Sequence, residues 1–334
     1  MDAKITKERL SRMLSYDWLK VVGLILAAIL VWSLIFTMTA TRITPAQQFT
    51  VVNYFGNVNA NSSKLIKVTG DAITEGVFSY EVIEMTSVDV PGSAEHGSTV
   101  LEARISTYEG DVIFVPNIED GETTYEVETE NGKETRFETY VERLVRTYGY
   151  GLDSLDRNDE NGFFKRLERF LDRYYGEDGY KNGELNEELV RKDFMSRIEK
   201  NKDKRFKKSE EIEKGCKDEL ARIAKYREAL IVFDKYVEEG LVEFVTTTAI
   251  DVYGDGSVLR EGVYSINVCP DESKMEKLRD IVAYAKTVEG VDAPVLTAQN
   301  MNVAFFKFDE VEESFEFENL LYINYVIALS KTNA

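Results

Sequence analysis

At 334 residues, with 60 acidic against 41 basic side chains and a formal charge of −19, the chain is long enough for a sizeable core and repels polyanions. Nucleic acid and anionic lipid headgroups are thereby excluded as partners of its folded part. His96 is the single histidine, which rules out a multi-histidine zinc site and argues against a histidine-based catalytic triad.

Residues 1–20 form a short tail in which Lys4, Lys7, Arg9, Arg12 and Lys20 outnumber Asp2, Glu8 and Asp17. Val21–Met38, VVGLILAAILVWSLIFTM, carries no charge. Lipid offers backbone amides no partner, so this run predicts a membrane-spanning helix over 21–41. The basic excess ahead of it predicts a signal anchor in the cell membrane, single-pass, with a cytoplasmic N-terminus and an extracellular remainder. A cleaved signal peptide is the rival, but its apolar region is shorter, and Met38-Thr39-Ala40 and Thr44-Pro45-Ala46 are poor cleavage sites. Residues 42–48 read as a tether, with Pro45 stopping the helix.

Phe49–Phe55, FTVVNYF, is β-branched and aromatic and predicts a buried strand. Helical spacing of Leu65, Ile66, Val68, Ala72 and Ile73 predicts a helix over 61–75, closed by Gly76. Ser79–Val90 alternates as a second strand, and 98–108 forms a short helix. Val112–Pro116, VIFVP, is apolar throughout, as a parallel strand covered on both faces would be. Strands alternating with helices predict crossover units and a parallel sheet through Val51, Val82 and Ile113.

Beyond Ile118 the character changes. TYEVETENGKETRFE predicts a hairpin turning at Asn131-Gly132. Charged helices follow over 138–148, 161–175, 184–200 and 209–239. In the last of these, Ile212, Cys216, Leu220, Ile223, Tyr226, Leu230, Phe233 and Val237 recur every three or four residues as a core-facing stripe. Strands return at 241–250, 262–268, 293–298 and 301–308, with an amphipathic helix over 274–287 placing Met275, Leu278, Ile281, Val282 and Ala285 inward. The segment 319–329 is an apolar helix or strand docked on the core, too short for a second span. One disulfide would be compatible with export, but Cys216 sits in a charged helical stretch and Cys269 ends an apolar strand, which favours unpaired thiols.

No phosphate-binding glycine loop and no serine-nucleophile elbow occurs. The loop 178–189 offers Asp178, Asn182, Glu184 and Asn186 as weak calcium ligands. Tyr180 and Leu189 occupy the positions where a calcium loop needs an oxygen donor and its bidentate glutamate. No metal site, no cofactor and no enzymatic activity is expected.

The strands FTVVNYF, SYEVIEMTSV and GDVIFVPN, with LREGVYSINV later, resemble the extracellular solute-binding proteins of bacterial ABC transporters over most of 49–308. The resemblance implies an α/β fold of two lobes joined by hinge strands, with ligand between them. Lobe 1 would span 49–137, a helical middle 138–240 and lobe 2 241–334. Matching positions for the ligand are Asn53, Tyr54, Phe55, Pro116 and Asn117 from the first lobe, and Tyr264 and Asn267 from the second. Aromatic faces with amides suit a small solute such as a carbohydrate. The implied role is a degenerate, membrane-anchored relative that captures or senses a solute beside an ABC permease. The family's lipid-bearing cysteine after the signal region is missing, and the transmembrane helix takes its place. An envelope assembly module without a solute is the alternative, and a membrane-anchored hydrolase the third reading.

Overall fold

The computed structural model describes residues 7–39, 47–54, 62–90, 96–107, 109–129, 132–201, 203, 205–288, 290, 292–307 and 317–332. The chain divides into two units, 1–44 and 45–334.

The described residues of the first unit form one helix, α1 (Lys7–Thr39). Within it Trp18–Thr37 is long and apolar enough to cross a membrane, at 20 residues and a mean hydropathy of 2.5. Twenty residues of helix reach about 30 Å, the thickness of a hydrocarbon core. Its apolar side chains, Leu24, Ile29, Leu30 and Phe36 among them, are exposed.

The second unit is a mixed α/β domain. Its elements are β1 (Gln48–Asn53), α2 (Ser62–Thr74), β2 (Glu84–Asp89), α3 (Gly97–Ser106) and β3 (Val112–Pro116), then the hairpin β4 (Glu119–Thr129) and β5 (Gly132–Thr139). Five helices follow: α4 (Tyr140–Tyr148), α5 (Phe163–Tyr175), α6 (Gly179–Asn182), α7 (Glu187–Asn201) and α8 (Ser209–Glu238). The chain closes with β6 (Glu243–Ile250), β7 (Val258–Asn267), β8 (Tyr284–Lys286), β9 (Val295–Thr297), β10 (Met301–Phe305) and α9 (Glu318–Ser330).

Six strands form one sheet in the order β2-β1-β3-β10-β7-β6. β1 runs parallel to β2 and to β3, pairing Val51 with Val112 and Val52 with Ile113. β10 is antiparallel to both its neighbours, and β6 and β7 form an antiparallel pair. The strand groups expected in separate lobes are therefore hydrogen-bonded into a single sheet through β3 and β10. Alternation along β3 splits the core. Val112 and Phe114 join Val51, Val303 and Phe305 on the face covered by side chains of α2, α5, α8 and α9. Ile113 and Val115 join Val52 and Ala304 on the face covered by α3 and α4.

Most expected elements stand within a few residues of their predicted bounds, with two corrections. The strand predicted over 79–90 is confined to Glu84–Asp89, so Val82 precedes it. There the chain turns so that Phe78 and Val82 enter the core while Tyr80 and Glu81 meet arginines of the helical block. The amphipathic helix over 274–287 is absent: turns and a short 3-10 helix (Leu278–Asp280) lead into β8, which pairs with β9. Met275, Leu278, Ile281 and Val282 are buried as expected, but so are Ala283 and Tyr284, while Ala285, expected inward, is exposed. A continuous apolar run is buried from all sides here, and strand pairing overrides helix propensity.

The helical stripe in α8 does face the core, with Ile223, Tyr226, Leu230 and Phe233 fully buried. Cys216 and Cys269 are both buried free thiols. In the loop weighed for calcium, the Asn186 side-chain oxygen Oδ1 accepts from the Leu189 N–H at 3.0 Å, capping α7 instead of facing a cation. Among the described residues no cluster of three or more His, Cys, Asp or Glu side chains is placed to hold a metal.

Candidate functional site

In an open α/β sheet the carboxyl ends of parallel strands are where ligands gather. At that end of β1 the structure has a recess of about 380 Å³, between α3 and α4. Tyr54, Ser98, Glu102, Glu122, Tyr140, Arg143, Thr147 and Tyr148 line it.

Three local features build this recess. The Tyr54 N–H donates to the Phe114 carbonyl at 3.0 Å, so the β1–β3 ladder continues one residue past the strand and fixes where the ring departs. Gly97, at the start of α3, is buried against Val90, and a Cβ there would meet the Val90 carbonyl oxygen and, at 2.9 Å, its Cγ1. This close approach sets α3 beside the end of β2, with Ser98 and Glu102 one turn apart on one side. At the start of α4, Thr139 and Glu142 form a reciprocal capping box: the Glu142 N–H donates to Thr139 Oγ1 at 3.1 Å, and the Thr139 N–H to the Glu142 carboxylate at 2.8 Å. Val141, Leu144 and Val145 then anchor α4 in the core, while Tyr140, Arg143 and Thr147 at spacings of three and four face the recess.

The phenols are neutral donors. Burial pushes the Tyr54 hydroxyl far above its ordinary range. Burial raises that of Tyr148 to about 12, with the Glu102 charge adding to the effect. Tyr140 is raised by burial and by Asp120 and Glu122. The Tyr54 and Tyr148 rings meet edge to face at 6.4 Å. Arg143 lies 3.5 Å from both Asp120 Oδ2 and Glu122 Oε2. The Asp120 side chain is fully buried, and its other oxygen accepts from the Glu122 and Thr123 N–H groups at 2.9 Å. Such a lining can hold a small polar solute by hydroxyls, carboxylates and aromatic rings.

The sequence-predicted site residues fall into separate places. Tyr54 is in the wall of the recess. Asn53 points to the opposite face, fully buried, with its amide donating to Asp89 Oδ1 at 3.1 Å. Pro116 is buried at the end of β3. Asn117 and Asn267 meet around Asn300, the only described non-glycine residue with positive φ. The Asn117 N–H donates to the Asn300 carbonyl at 2.9 Å, and the Asn267 amide to Asn300 Oδ1 at 3.3 Å. Tyr264 packs half-buried against the Val52 and Ile113 cluster. Phe55 lies outside the described residues.

Sequence reasoning missed the contributions of α3 and α4. Their signal was the T-x-x-E capping box at Thr139–Glu142 and the Tyr140, Arg143, Thr147 stripe. Nothing in the sequence places that stripe opposite Ser98 and Glu102. Comparison with protein-family models, with curated proteins and with solved structures found no match.

Proposed function

We propose that this chain is a membrane-anchored solute-capture protein. Its α/β domain stands outside the cell and binds a small polar solute in the recess between α3 and α4, beside a permease. The observation that carries this reading is the recess at the carboxyl end of β1, walled by Tyr54, Tyr140 and Tyr148. In this reading α1 is a retained signal anchor, with its basic flank in the cytoplasm. In this reading the strand groups that the resemblance assigns to two lobes serve as two halves of one sheet, in which strand direction reverses between β3 and β10. Carbohydrate is the solute class that the resemblance implies. The tether would keep the binding domain concentrated near its membrane partner.

Thermal unfolding of the full-length chain in detergent, against sugars, amines, amino acids and short peptides, tests the reading. A solute that binds only the folded state raises the melting temperature progressively with concentration. A flat response to the whole panel, or a domain that survives protease added to intact cells but not to lysed ones, would contradict it.

An open apolar groove of about 300 Å³ between α8 and α9, lined by Val232, Tyr236, Leu321 and Tyr325, favours the second reading, an envelope assembly module.

A further inference from the structure

Resting on the reading of the recess as a solute site, we infer that its solute is an organic cation, carrying a protonated or alkylated ammonium. The lining holds one cationic side chain, Arg143, and two carboxylates, Glu102 and Glu122.

Arg143 is already committed. Its guanidinium lies between Asp120 and Glu122, 3.5 Å from each, and the buried Asp120 carboxylate stands behind it at fixed range, held by two backbone N–H groups. Its positive charge is therefore spent on protein carboxylates, and an anionic solute would meet a site whose surplus is negative. Glu102, by contrast, has no ion pair or hydrogen bond among the described residues, and it stands close enough to Tyr148 to raise its phenol. That is an unmatched carboxylate beside aromatic rings.

Tyrosine rings complement such a cation. An ammonium within about 6 Å of a ring face is attracted by its quadrupole, and Tyr54 after β1 and Tyr140 and Tyr148 at the two ends of α4 line the recess. Their phenols remain protonated at neutral pH and add no competing charge. Ser98 and Thr147 supply hydroxyls for a solute that also carries oxygen, as an amino sugar or choline does. At about 380 Å³ the recess sits at the small end of the roughly 300–1,000 Å³ typical of ligand sites, which suits a single monomer. The net charge of −19 favours approach of cations over the same distance from which it repels anions.

Charge can be separated from shape by matched probes. Glucosamine, choline, glucose and N-acetylglucosamine are titrated into the full-length chain in detergent, and affinity is read by calorimetry and by melting temperature at low and high salt. The expected result is binding of glucosamine or choline at least tenfold tighter than of glucose and N-acetylglucosamine. That binding should weaken with added salt and weaken about fivefold in Glu102→Gln, with Glu102→Asp retaining part of the affinity, as fits an exposed ion pair. Equal binding of glucose and glucosamine, or ammonium binding unaltered in Glu102→Gln, would overturn the cation assignment and leave solute capture standing. Silence from these probes and from the wider panel would overturn both.

Discussion

Arg222→Ala is expected to lower the stability of the α/β domain by about 3–5 kcal/mol, the cost of leaving a buried partner uncompensated. Arg222 is 1% exposed on α8. Its guanidinium donates to both carboxylate oxygens of Glu219, with Nε at 3.0 Å, and contacts the Tyr226 hydroxyl at 3.4 Å. Tyr226 donates onward to Glu318 on α9 at 2.6 Å, and Glu318 accepts the Ser79 N–H at 3.0 Å. From α7, Arg197 donates to both Glu219 oxygens at 3.1 and 2.9 Å and to the Tyr80 hydroxyl at 2.6 Å. One buried network thus ties the loop after α2 to three helices. Removing Arg222 strands Glu219 with one guanidinium and frees the Tyr226 end of the chain of bonds.

The same network predicts an acid limit. Burial alone would raise the Glu219 carboxyl, but Arg222 and Arg197 hold it down to about 2. Its contribution is complete above the ordinary glutamate range near 4.5 and is lost as pH falls from there toward 2. Urea denaturation of Arg222→Ala against the parent at pH 7 reads the effect as a fall in midpoint. An unchanged midpoint would mean that the network contributes nothing net.

Asp111→Asn is expected to act in the opposite direction, with a gain that grows as pH rises above about 4 and levels off above about 7. Asp111 is the residue before β3, and its carboxylate accepts the Thr50 N–H at 2.7 Å, in the β1–β3 seam. Burial raises its carboxyl to about 7. The Thr50 N–H opposes that shift, and the charge of Glu318 adds to it. The folded state therefore keeps a proton that the unfolded chain has released, so stability falls as pH rises from about 4 through about 7. About three pH units at roughly 1.4 kcal/mol each set an upper bound near ~4 kcal/mol on the cost at pH 8. Asparagine offers the Thr50 N–H the same oxygen without the charge. The variant should match the parent at pH 4 and exceed it at pH 8, the difference appearing between those values. A difference that does not vary with pH would show that Asp111 is ionised at both ends of the range.

What the sequence disclosed was local periodicity. The recurrence of Ile223, Leu230 and Phe233 set the buried face of α8, the TYEVETENGKETRFE pattern set the hairpin of β4 and β5 (Gly132 opens β5, and Asn131 of the expected turn lies outside the described residues), and the unbroken VIFVP run set a strand covered on both sides. Each of these signals comes from residues within a turn or two of one another. The pairing of β10 with β3 was hidden because it joins residues nearly two hundred positions apart by backbone bonds that carry no side-chain signature. The segment 274–287 misled for a related reason. Met275, Leu278, Ile281 and Val282 have helical spacing, yet Ile281, Val282, Ala283 and Tyr284 are buried without a break and Tyr284 finds a strand partner in Thr297. Of the recess only Tyr54 was legible, as an aromatic just past a strand. Glu102 and Arg143 look like two more surface charges until α3 and α4 are brought together.

The most direct measurement on the recess plugs it. Ser98 is exposed on α3 at its mouth, so Ser98→Trp fills the space without disturbing the core. In the full-length chain in detergent, the solute that raises the parent's melting temperature should leave Ser98→Trp unmoved, while the unliganded variant melts close to the parent. A solute that stabilises Ser98→Trp as strongly as the parent binds elsewhere, and the recess would then not be the site.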